Sequence, residues 1–269
     1  VRREALRDYL RGIGADWIED PANESPQSLR ARTRRALRGQ AGAGGAPERE
    51  MITTDEMRSV LHAPEYLGSL GMIALRAAAF DALPREAALR LLAAAAVCAG
   101  GGDKLPKAEK VAALLANLPA GKALTLCGAR LRRADDLITI SREAGDIGRN
   151  RAGARLLNGT DEAVWDGRFV IRSPQAGEIV AAATVRGELS DGDRAWLLTL
   201  PEALRDSQPV LVSRGQKDNQ NKGLLTNPAL GQNAHSDIGI TCLVLPRLYA
   251  AMGLIATESA QKTIESLRG

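Results

Sequence analysis

Val164-Trp165-Asp166-Gly167-Arg168-Phe169-Val170 carries the clearest local signal in the chain. An Asp-Gly pair set between apolar residues suits a type I′ turn, whose two central residues take positive φ, so the stretch reads as a β-hairpin. Upstream of it, Leu124 and Leu126 and then Ile138 and Ile140 alternate with other residues, around Gly128 and an Ala134-Asp135-Asp136 turn, which is the period of strands. Downstream, a strand is expected over residues 179–185, a helix from Ser190 as N-cap to about Leu198, and a short helix opened by Pro201. Residues 214–237, rich in Asn, Gln and Gly, read as an exposed loop.

Before Gly121 the period is helical. Thr53 and Glu56 have capping-box spacing, and helices are expected at about 54–62, 69–82, 84–99 and 107–118, with Pro84 and Pro106 marking two starts and Gly100-Gly101-Gly102 a stop. The expectation is therefore an α+β protein, with a small helical domain over residues 51–120 and a β-rich mixed domain over 121–269. Residues 39–50 form a linker, because Gly39 to Pro47 holds four glycines and nothing to bury. Ahead of it, Leu6, Tyr9, Leu10 and Ile13 make one helical stripe that ends where Gly14 can supply a left-handed cap. A second helix opens at Ser25-Pro26 and runs to Arg38. Residues 1–38 are too few to fold alone.

Composition sets outer bounds. With 269 residues and 45% hydrophobic content the chain can build real cores. The longest apolar stretch, Leu89 to Cys98, is interrupted by Arg90 and is about half of the roughly 20 residues that span a bilayer. With no targeting segment at the N-terminus, a cytoplasmic protein with no membrane partner is expected. Cys98, Cys127 and Cys242 are odd in number, far apart and set among apolar residues, which reads as reduced, buried thiols. The net charge of +4 permits an anionic partner without demanding one, and an aromatic content of 3% directs any nucleic-acid contact toward Arg and Lys.

No complete active site is legible. His62 and His235 are the only histidines, leaving little material for a nucleophile and base pair. Gly100-Gly101-Gly102-Asp103-Lys104 lacks a preceding strand and the Ser/Thr of a phosphate loop, and His, Cys and carboxylates do not cluster at metal-ligand spacing, so no metal site is assigned.

Two features remain in the first 38 residues. Asp20-Pro21-Ala22-Asn23 holds an acid and an amide together in a tight loop, and Arg30, Arg32, Arg34, Arg35 and Arg38 put five guanidinium groups into nine residues, with no acidic residue between Glu24 and Glu48. The first reads equally as an Asx turn and the second as a solvated face. Unpaired arginines resist packing against a protein surface, however, and guanidinium binds phosphate oxygens in two-point fashion.

The run Arg3 to Leu10, then Trp17-Ile18-Glu19-Asp20-Pro21-Ala22-Asn23, then Arg30 and Arg34, resembles the segment that closes the catalytic domain of the tRNA(Ile)-lysidine synthases. Asp20, Asn23, Arg30 and Arg34 match that family's pattern in type and spacing, while Ala22 replaces its usual Ser and Ala31 a common Asn. Thr125 to Leu131, Ile140-Ser141-Arg142-Glu143 and the Trp165 to Phe169 hairpin resemble its downstream regions more weakly. The resemblance implies that residues 1–38 are the C-terminal remnant of an α/β (PP-loop) catalytic domain, followed by the two domains above. It implies a ligase that adenylates the wobble cytidine of tRNA(Ile) with ATP and Mg²⁺ and then adds lysine to form lysidine. Asp20 and Asn23 would shape a loop beside the active site, and Arg30, Arg32, Arg34, Arg35 and Arg38 would face tRNA. The family's Ser-Gly-Gly-x-Asp-Ser ATP loop does not occur in this sequence, which makes tRNA binding rather than catalysis the expected role of this stretch. The alternatives are a non-catalytic nucleic-acid or protein-interaction module with a basic helix, and a related ligase acting at another tRNA position. The oligomeric state is not legible.

Overall fold

The computed structural model describes residues 11–12, 14, 52–62, 65–149, 155–158, 162–174, 176–213, 222–224 and 238–254. Val1–Arg49 and Glu50–Gly269 are two compact units. In the first, Arg11 and Gly12 are helical, and Gly14, at φ +67°, donates its amide to the Arg11 carbonyl at 3.1 Å. That is the left-handed cap expected there. The helix expected from Ser25 to Arg38 and the linker expected at 39–50 lie outside the described residues.

The second unit opens with α1 (Thr54–Val60), whose capping box is formed as expected: the Thr53 side chain accepts from the Glu56 amide, and Glu56 accepts from the Thr53 amide at 2.7 Å. After α2 (Glu65–Ser69) the chain departs from the helix expected over 69–82 and makes strand β1 (Ile73–Arg76), followed by the short helix α3 (Ala77–Asp81). Gly71, at φ +89°, breaks the helical path, and Ile73 to Arg76 then pair with a strand far along the chain. A short apolar run has no period that could announce this. Helices α4 (Arg85–Ala99) and α5 (Ala108–Asn117) fall where expected, with Pro84 as N-cap and Gly100 as C-cap of α4.

Strands β2 (Leu124–Leu126), β3 (Ala129–Ala134) and β4 (Leu137–Arg142) complete an antiparallel sheet of order β1-β4-β3-β2. Cys127 and Gly128, at φ +52° and +76°, turn β2 into β3. The apolar face of α4, including Leu91, Leu92, Ala95 and Ala99, packs in one core with Ile73, Leu75, Leu131, Ile138 and Ile140 of the sheet. Each fully buried Leu or Ile here contributes roughly 1.5–3 kcal/mol. Val244 and Leu248 of the last described helix, α10 (Val244–Ala251), join the same core, so residues from both sides of position 120 share it.

After α6 (Ala144–Arg149) come β5 (Arg155–Asn158), β6 (Glu162–Trp165), β7 (Phe169–Arg172) and β8 (Ala176–Ala181). The β6-β7 hairpin is the one expected: Asp166 and Gly167 have φ of +48° and +61°, and Trp165 stands opposite Phe169. The strand expected over 179–185 ends at Ala181, where the chain turns into α7 (Ala182–Val185). Ala182 there gives its amide to the Gln208 carbonyl. Ser190 caps α8 (Asp191–Thr199) and Pro201 opens α9 (Glu202–Arg205), as expected. Strand β9 (Pro209–Ser213) follows, and the segment read as loop over 214–237 contains β10 (Lys222–Leu224), paired antiparallel with β9; the other residues of that segment lie outside the described ones. With β11 (Gly239–Cys242) the strands form two further sheets, ordered β10-β9-β8-β5 and β11-β7-β6. Leu157, Ile179 and Leu211 of one meet Ala163, Trp165, Phe169 and Ile171 of the other. A separate cluster packs Leu197, Leu200 and Leu204 of the α8-α9 region with Leu70, Met72 and Val210.

No helix among the described residues is long and apolar enough to cross a membrane. The three cysteines are unbridged; Cys98 is buried, whereas Cys127 and Cys242, read as buried, are partly exposed.

Candidate nucleic-acid interface

Asp20, Asn23, Arg30, Arg32, Arg34, Arg35 and Arg38, the residues singled out by sequence, lie outside the described residues, as does His235. His62 is half-buried and gives its backbone amide to the Ala74 carbonyl at 2.8 Å, a structural role. The described residues offer a different constellation, built on buried arginines.

Arg142, the last residue of β4, is 3% exposed and reaches three partners at once. Its Nε and Nη2 donate to the two Asp166 carboxylate oxygens at 2.9 and 3.0 Å, and its Nη1 donates to the Gly128 carbonyl and to Asp146, both at 2.7 Å. Burial works against its charge, yet Asp166 and Asp146 together hold its pKa above the ordinary guanidinium value. Arg168, fully buried, donates through Nε to Asp166 at 2.7 Å and through Nη2 to the Ser207 carbonyl at 2.8 Å. Here burial dominates and pulls the pKa below the ordinary value, with Asp166 opposing. Its guanidinium carbon lies 5.5 Å from the Trp165 ring centre and 5.0 Å from that of Phe169, within cation-π range. The turn is pinned on its outer side as well, since Arg247 donates to the carbonyls of Gly167 and Gly102. Three stretches distant in sequence, around Gly128, Arg142 and Asp166, are thereby locked together.

That lock fixes one wall of a cleft of about 520 Å³ between the end of β4, β3 and the α8-α9 region. Five arginines line it, Arg130, Arg142, Arg186, Arg194 and Arg205, against three carboxylates, Glu143, Glu202 and Asp206. Arg142 is committed to the lock. Arg205 donates to the Leu200 and Leu198 carbonyls, Arg186 pairs with Asp206, and Arg194 pairs with Asp191 of its own helix. Leu197, Leu198 and Ala203 form the apolar part of the lining, and Leu198 is 68% exposed. A cleft with more guanidinium than carboxylate and an apolar wall is suited to an anionic ligand that has an apolar part.

The ATP and Mg²⁺ implied by the family resemblance do not fit the described residues. No group of three or more His, Cys, Asp or Glu among them could hold a metal ion. The glycines at 100–102 end α4, and a Cβ on Gly101 would stand 2.0 Å from the Asp166 carbonyl oxygen, so this backbone is packed against the hairpin turn and not open to a phosphate. The arginine cleft was not foreseen from sequence. Of its lining, Arg130 sits on a short strand beside Leu131 and looks like part of any solvated strand face.

No protein-family model matches the chain. Curated relatives do: the tRNA(Ile)-lysidine synthase of Caulobacter vibrioides is 32% identical over 262 residues, 96% of this chain and 59% of that protein. The enzymes of the same name from Ruegeria pomeroyi and Mesorhizobium japonicum are each 31% identical, over 65% and 80% of this chain and 42% and 51% of their own lengths. The chain thus spans about half the length of the curated relatives it matches. By sequence, it belongs with the tRNA(Ile)-lysidine synthases.

Proposed function

We propose that this chain is the tRNA-holding part of a ligase that converts the wobble cytidine of tRNA(Ile) to lysidine with ATP, Mg²⁺ and lysine in the cytoplasm. The observation that carries the reading is the similarity to the Caulobacter vibrioides tRNA(Ile)-lysidine synthase across 96% of the chain. In this reading residues 1–38 complete the catalytic domain. Asp20 and Asn23 shape the loop beside the reacting centre, while Arg30 and Arg34, with Arg32, Arg35 and Arg38, meet tRNA phosphates. The helical and β-rich regions beyond residue 50 grip the tRNA and present its anticodon. Their contribution to the reaction is positional, because holding the cytidine where it is to be activated removes orientational freedom before the chemical step.

The test is binding of an unmodified tRNA(Ile) transcript to the chain as salt is raised, compared with the Arg30→Ala/Arg34→Ala variant. The expected result is tight, salt-sensitive binding for the parent chain and a shallower salt dependence for the variant. Salt-sensitive binding with no change in the variant would remove the arginine assignment, and no binding at all would favour a protein-interaction module.

A further inference from the structure

We propose that β3 and the arginine cleft form a track for the backbone of one RNA strand, with Arg130 and Arg132 meeting consecutive phosphates and the adjoining nucleotide lying against Leu198. The inference rests on the tRNA-binding reading and assigns that role to particular residues of the described unit.

Strand alternation supplies the geometry. Ala129 and Leu131 point into the core, so Arg130 and Arg132 share the opposite face of the sheet. Two residues along a strand are about 7 Å apart, close to the separation of successive phosphates in a nucleic-acid strand. The sheet around them is polar without being acidic: Arg130 is in register with Thr125 on β2 and Ser141 on β4, and Arg132 with Thr139. Neither guanidinium has an ion-pair partner among the described residues, in contrast to Arg133, which points the other way and forms two hydrogen bonds with Asp81 at 2.8 and 2.6 Å.

At the Arg130 end the track enters the cleft. There Leu198 is a large apolar side chain left open at the mouth, beside Arg194 on the same helix, whose pairing with Asp191 is an exposed contact between residues three apart. Such pairs are weak and yield to a phosphate. A ribose or base on Leu198 would cover that apolar surface. Glu143 and Glu202, also at the cleft, oppose any anion placed near them, which favours a strand anchored on the β3 side. The low aromatic content leaves Arg and Leu, rather than stacked rings, as the contacting groups.

The experiment measures binding of the unmodified tRNA(Ile) transcript to the 269-residue chain between 50 and 200 mM salt. It compares the parent chain, Arg130→Gln/Arg132→Gln, and the charge-matched control Arg58→Gln/Arg172→Gln, whose arginines lie elsewhere on the surface. Each phosphate left without its guanidinium lowers the slope of log affinity against log salt by about 1, or roughly tenfold in affinity at 0.1 M. The track therefore predicts a slope lowered by about 2 in the first variant and little change in the control. Thermal melting confirms that both variants are folded, and Arg130→Lys, which keeps the charge, retains the parent slope. Equal effects of the two double variants, or none, overturn the track while leaving tRNA binding in place. A parent chain that does not bind the transcript overturns the tRNA reading itself, and the track with it.

Discussion

Arg142 and Asp166, 24 residues apart, meet as a two-point pair at 2.9 and 3.0 Å, with both side chains almost fully buried. The end of the first sheet is tied in this way to the turn of the hairpin in the third. Because Asp166 also serves Arg168, one carboxylate holds two buried guanidinium groups.

Removing that carboxylate leaves the buried Arg168 with no carboxylate partner and Arg142 with Asp146 alone. Asp166→Asn is expected to lower the unfolding free energy by about 3–5 kcal/mol, the usual cost of breaking a buried pair from one side. Arg142→Met costs less, because Asp166 keeps Arg168 and the Met side chain fills part of the volume. Urea denaturation of both variants reads the difference, and an equal or reversed order would show that the pair is not the point of attachment.

The same junction depends on glycine. Gly101 has φ +74°, and a Cβ there would stand 2.0 Å from the Asp166 carbonyl oxygen; on Gly167, at φ +61°, it would stand 2.2 Å from the Gly101 carbonyl oxygen. Both obstacles are backbone and cannot swing aside. Gly101→Ala and Gly167→Ala should each cost ~3 kcal/mol, summing left-handed strain and overpacking. Gly102→Ala, with open space around it, serves as the tolerant neighbour. A melting temperature unchanged in Gly101→Ala would contradict the close packing of turn against helix end.

What could be read from sequence follows from how local its cause is. The Asp166-Gly167 turn, the Thr53 and Ser190 caps and the Pro84 start are decided within a few residues, and the structure has them all. Ile73 to Arg76 became a strand because β4 is there to pair with it, more than 60 residues on, and β9 and β11 depend on distant partners in the same way. The buried lock was hidden for another reason. Arg142, Asp166 and Arg168 look like ordinary surface charges until the fold brings them together. The motif that pointed to the family, Asp20 to Arg34, needs only residue type and spacing, and the similarity to lysidine synthases bears out the family without bearing on those residues' roles.

The capping box on α1 supports a smaller, independent prediction. Thr53 and Glu56 satisfy each other's backbone amides at the start of a helix that places Met57 and Val60 in the main core. Thr53→Ala should destabilise by about 1 kcal/mol, and Thr53→Ser by much less. Equal losses for the two substitutions, read by thermal melting, would assign the effect to the missing methyl group and not to the cap.

The Asp81-Arg133 pair gives the fold a pH-dependent contribution with a defined sign. Hydrogen bonds from Arg133 hold the Asp81 carboxyl below its ordinary value, against a smaller opposing effect of burial. A carboxyl whose folded pKa is depressed contributes stability that is fully present above its unfolded pKa, near 4, and is lost as pH falls through the folded value. The Asp81 side chain is 49% exposed, so solvent screens the pair and its worth at neutral pH is about 0.5–1 kcal/mol. Asp81→Asn should therefore be less stable than the parent at pH 7, with the gap closing as pH falls through the folded value and shrinking at pH 7 when salt is raised to about 1 M. Denaturation curves at pH 7 and in acid decide it. A gap that persists unchanged in acid would mean that the two residues are held together by packing of the α3 end on β3, with no contribution from the carboxylate charge.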